Sequence, residues 1–171
     1  MKTAYRRAMD ALYLACMVVA GIAITIMTVV IPWGVYTRYV LNRGSAWPEP
    51  MAVLLMILFT FFAGAACYRA GIHISVTMFS DALRQPYRRI VHGIAELLVA
   101  VLAVFMVYWG FLLVGTTWNQ VIAEFPWLSV GITYLPIPLG GAITLLFIFE
   151  RAWLGPPPRD SLMYREPTEA S

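Results

Sequence analysis

The stretch ALYLACMVVAGIAITIMTVVIPWGVYT, residues 11–37, contains no charged side chain. A helix crosses a hydrocarbon layer of ~30 Å with about 20 residues at ~1.5 Å each, so this run is long enough to span a bilayer. Three more charge-free runs follow, at residues 50–68, 97–123 and 125–149. Lipid offers no partner to an exposed backbone N–H or C=O, which makes each run a helix. Four transmembrane helices are therefore expected.

Composition agrees with this. The 171 residues are 61% hydrophobic and 12% charged, well outside the balance of a soluble domain. Residues 1–154 read as one four-helix membrane domain and 155–171 as a Pro-rich polar cytoplasmic tail. Lys2, Arg6 and Arg7 before the first run resemble the start of a signal peptide, but the run is too long for an h-region and lacks a small-residue cleavage site, so a retained helix is expected. Cys16 and Cys67 both fall near the cytoplasmic ends of their spans, where a disulfide or metal role is not expected.

Basic residues concentrate in cytoplasmic segments, and their placement orients the chain. Lys2, Arg6, Arg7, Arg69, Arg84, Arg88, Arg89, Arg151, Arg159 and Arg165 flank one side; Arg38 and Arg43 alone flank the other. Both termini are expected in the cytoplasm. The net charge of +3 then points to anionic lipid headgroups as partners, with no nucleic acid. Trp33, Trp47, Trp118, Trp127 and Trp153 sit near span ends, as an aromatic belt does.

Within the spans, Pro32 is expected to kink or end the first helix unless that helix is simply long and tilted. Starting the fourth span after Pro136 and Pro138 leaves about 11 apolar residues, roughly 17 Å, so both prolines belong inside the membrane segment. The pairs Gly21/Thr25, Thr60/Gly64 and Gly140/Thr144 allow close helix approach, expected mainly within this chain. Ile72, Val76, Phe79 and Leu83 share one face of a segment closed by Pro86, which reads as an interfacial amphipathic helix between helices 2 and 3.

A transporter that couples an ion within its own bundle needs an ionisable group near mid-membrane. None occurs. Glu96 is expected at the hydrocarbon edge, paired with His92 or Arg89. Arg38 either snorkels outward or pairs with Glu49 across a short connector. His73 has no companion ligands at metal-site spacing. No catalytic motif or cofactor site is present, so neither an enzyme nor a cofactor is expected.

Three segments carry a family resemblance: RYVLNRGSAWPEP (38–50), GAACYRAGIHISVTMF (64–79) and WLSVGITYLPIPLGG (127–141). In order and placement they resemble the small membrane subunit, DctQ-like, of tripartite ATP-independent periplasmic (TRAP) transporters. One position departs from the usual acidic pair, since Pro50 follows Glu49. The resemblance implies a scaffold in the bacterial inner membrane for ion-coupled uptake of an organic acid-like solute. Its implied partners are a large TRAP membrane subunit and a periplasmic substrate-binding protein. Arg38, Trp47, Glu49, Gly64, Gly71, His73 and Pro136 become candidate subunit or lipid interface residues. The small subunit of a tripartite tricarboxylate transporter, a stand-alone four-helix transporter and a membrane anchor subunit are the alternatives. A haem-binding anchor needs axial histidines inside spans, whereas His73 and His92 lie in the connector.

Overall fold

The computed structural model describes residues 2–71 and 87–154. The elements are α1 (Lys2–Tyr39), α2 (Pro48–Ala70), α3 (Tyr87–Thr117), β1 (Val121–Ile122), β2 (Phe125–Ser129), α4 (Val130–Tyr134) and α5 (Pro136–Leu154). Four apolar spans result: Tyr5–Tyr39, Pro48–Ala70, Gly93–Thr117 and Val130–Trp153, the last made of α4 and α5 together. The expected amphipathic helix and the tail after residue 154 lie outside the described residues.

The helices stand in an open row rather than a closed bundle. α1 packs on α2, α2 on α5 and α5 on α3, while α3 has no comparable contact with α1 or α2. On α1 the residues turned inward are Met9, Tyr13, Cys16, Ala20, Ala23, Met27, Val30, Gly34 and Thr37, at alternating steps of four and three. That 3.5-residue repeat is the seam of a left-handed helix pair, and its mostly small side chains bring the axes together. At its far end a Cβ on Gly34 would lie 2.9 Å from Pro48 Cβ, which marks how closely α1 and α2 meet.

Two adjacent glycines explain the place of α5. A Cβ on Gly140 would stand 2.9 Å from Phe61 Cβ of α2, and one on Gly141 would stand 3.0 Å from the Ala103 carbonyl oxygen of α3. Gly140 therefore serves one neighbour and Gly141 the other. Pro138, fully buried, sits against Gly110 of α3, where a Cβ would come within 2.9 Å of Pro138 Cδ.

Both prolines lie within the fourth span, as length demanded. Pro136 opens α5 and Pro138 follows in its first turn, where backbone N–H groups have no helical partner to lose. The joint is the single residue Leu135, whose N–H donates to the Ile132 carbonyl at 3.3 Å. Pro32, in contrast, does not end α1, which continues seven residues further to Tyr39. At 38 residues, roughly 57 Å, α1 is far longer than the hydrocarbon layer requires.

The connector after α3 folds into an antiparallel hairpin, with Ile122 opposite Phe125 and Val121 opposite Ser129. Ser129 ties this hairpin to two helices. Its hydroxyl accepts from the Gly131 N–H at 3.1 Å, capping α4, and donates to the Trp118 carbonyl just beyond α3.

These contacts predict a contrast between glycines. Gly110→Leu should weaken resistance to unfolding in mixed micelles by about 1–3 kcal/mol or more through overpacking against Pro138. Gly21→Ala, where a Cβ meets nothing within 4 Å, should leave it unchanged.

Candidate functional site

Charged side chains gather at the two ends of the row. The end where α1 begins and α5 finishes is organised by Arg69, in the last turn of α2, whose side chain is only 3% exposed. Arg69 Nε donates to Glu150 Oε2 at 2.8 Å and Nη2 to Glu150 Oε1 at 2.9 Å, a two-pronged fork onto α5. Nη2 also donates to Asp10 Oδ1 of α1 at 2.7 Å. The guanidinium carbon lies 5.7 Å from the ring centre of Tyr13 and 5.3 Å from that of Phe147. One cation thus joins α1, α2 and α5.

Beneath it lies the core cluster of Met9, Ala65, Tyr68 and Phe147. A second ion pair extends the line across the row, with Arg151 Nε of α5 at 3.0 Å from Glu96 Oε1 of α3. The two pairings together reach all four spans. Arg151 is a partner of Glu96 among the described residues. The side chains of His92 and Arg89 lie outside the described residues.

The sequence counts Arg69 only as a basic residue flanking the second span. In the structure Arg69 is helical and buried, and the turn comes two residues later at Gly71. There φ is +69°, a left-handed conformation that suits glycine, and the Gly71 N–H closes the helix against the Tyr68 carbonyl at 3.1 Å. A signal for the cluster was present. Asp10 and Glu150 each border a charge-free run at the same end of the molecule as Arg69.

At the opposite end Arg38 takes the second of its two alternatives, with Nη2 donating to Glu49 Oε1 at 2.6 Å. The two side chains are 53% and 73% exposed. They form the rim of a cleft of about 300 Å³ between the ends of α1 and α2. Asn42, in the connector, adopts φ +47°, a left-handed conformation that asparagine tolerates better than most residues. A second, shallower groove lies along α1 at Trp33 and Tyr36 and is closed by Trp47.

The remaining candidates are dispersed. Pro136 is buried at the start of α5, Gly64 lies on the exposed face of α2 with nothing within 4 Å of a Cβ, and His73 is outside the described residues. Of the three small-residue pairs, Gly140/Thr144 alone includes a close interhelical contact. Gly21/Thr25 and Thr60/Gly64 face outward, each threonine hydroxyl donating to the carbonyl four residues earlier.

Four apolar spans whose charges bind helix to helix define a multi-pass membrane protein built for packing rather than for bond chemistry. The family described as "Tripartite ATP-independent periplasmic transporters, DctQ component" matches residues 27–155, and the chain belongs to it. Its members are transporter permease subunits, not enzymes, and the chain is a multi-pass protein of the bacterial inner membrane. It is similar to the sialic acid TRAP transporter small permease protein SiaQ of Vibrio cholerae serotype O1. The identity is 26% over 126 residues, covering 71% of this chain and 70% of that protein. Arg69 and Glu150 fall inside the family match, whereas Asp10 precedes it.

The charged end predicts an asymmetric cost. Arg69→Met strands Glu150 as a buried charge and should destabilise the chain by about 3–5 kcal/mol in a micellar unfolding titration, with much of the loss recovered in Arg69→Met/Glu150→Met. Arg38→Met, at the exposed pair, should change stability by no more than ~1 kcal/mol.

Proposed function

We propose that this chain is the small permease subunit of a TRAP transporter and acts as a fixed scaffold for a large membrane subunit. That larger subunit carries the sites for ion-coupled uptake of an organic acid-like solute, delivered by a periplasmic substrate-binding protein. Both termini and the Arg69 cluster then face the cytoplasm, following the bias of Lys and Arg, and the Arg38–Glu49 cleft faces the periplasm.

The observation that carries the scaffolding role is the open row with its charges at the ends. No Asp, Glu, Lys, Arg or His lies between Asp10 and Arg38, Glu49 and Arg69, Glu96 and Glu124, or Glu124 and Glu150. A chain lacking an ionisable group at mid-span has no equipment of its own for ion coupling. Its large exposed side chains, such as Val29 and Leu97, also leave broad apolar faces for lipid or a partner. The sialic acid in the relative's name is consistent with an organic acid as cargo.

Reconstitution tests this reading. The chain should co-purify in mild detergent with a much larger multi-span protein, and liposomes holding this chain alone should show no uptake; uptake by the chain alone would refute it. Glu96→Gln should leave uptake by the complete transporter largely intact, since Glu96 pairs with Arg151 at the membrane edge. Loss of ion coupling with normal assembly would assign Glu96 a direct role.

A further inference from the structure

The cleft between α1 and α2 has the shape and polarity of a lipid site. Its rim holds Arg38, Glu49 and Ser45, and its walls descend along Ile31, Val35 and Val53 toward the middle of the membrane. The two helices run antiparallel, so the polar residues near the end of α1 and the start of α2 coincide at one depth. The apolar residues of both coincide below them. At the seam Gly34 and Pro48 meet too closely to admit a ligand, so the cleft opens beside the seam rather than through it.

The Arg38–Glu49 pair uses one guanidinium nitrogen and one carboxylate oxygen. The other guanidinium N–H groups and Glu49 Oε2 keep their hydrogen-bonding capacity at a half-exposed rim. A donor cation 2.6 Å from an acceptor anion is complementary to a zwitterion whose phosphate and ammonium lie side by side. We propose that this cleft binds one phospholipid with a phosphoethanolamine headgroup, in the leaflet opposite the chain termini. Arg38 takes the phosphate, Glu49 takes the ammonium N–H, and one acyl chain lies along Ile31, Val35 and Val53. Arg38 then has a role beyond its weak exposed ion pair, because the lipid bridges both charges and fills the space between the helices.

The test uses the full-length chain in nanodiscs with equal amounts of phosphatidylethanolamine, phosphatidylcholine and phosphatidylglycerol, followed by native mass spectrometry of the retained lipid. The wild-type chain should retain phosphatidylethanolamine roughly tenfold over phosphatidylcholine, whose trimethylammonium has no N–H to give Glu49. Glu49→Gln keeps a carbonyl for Arg38 and should bring that ratio close to parity. Val53→Trp fills the apolar wall without touching either charge and should abolish retention. Preference for phosphatidylglycerol, equal retention of all three headgroups, an unchanged ratio in Glu49→Gln, or full retention in Val53→Trp would each overturn the proposal.

Discussion

Arg69 holds a positive charge where almost no water reaches it, and the row of helices is arranged around meeting that demand. Within lipid, apolar side chains gain little by facing one another instead of acyl chains, so helix association rests on close packing and on polar groups. A buried guanidinium left alone would be far too costly, and here it is met by carboxylates from both flanking helices. Satisfying Arg69 requires α1 and α5 to stand against α2 at this end. Arg151 and Glu96 then bring in α3 by a more exposed version of the same interaction.

Away from the charged end, shape takes over. The small-residue seam of α1, the division of labour between Gly140 and Gly141, and the seating of Pro138 on Gly110 each fix one interface. None of them encloses a central chamber. Among the described residues α3 packs chiefly on the α4–α5 span, so the row keeps its broad faces open, which supports the scaffolding role proposed above.

The four spans were legible because length and apolarity alone decide them in a bilayer, and the prolines of the fourth span followed from counting residues. The Arg38–Glu49 pairing was accessible for a similar reason, since the two residues flank one short connector. The Arg69 cluster was hidden by distance. Its partners sit 59 and 81 positions away, and at a span's edge a buried arginine reads like an ordinary flanking charge. The hairpin after α3 was missed because its two-residue turn is Ala123-Glu124, which lacks the Asn-Gly or Asp-Gly signal. Small-residue spacing showed which helix faces are smooth, but only packing showed that Gly140 meets α2 while a Cβ on Gly21 or Gly64 would meet nothing within 4 Å among the described residues.

The clamp at Arg69 is most directly tested by a distance measured between α1 and α5. With spin labels at the exposed positions 14 and 146, in a chain whose Cys16 and Cys67 are replaced by alanine, pulsed electron resonance reads the spread of that distance. A single narrow distribution is expected with Arg69 present and a clearly broader one in Arg69→Met. Equally narrow distributions in both proteins would contradict the claim that this cation holds the row together.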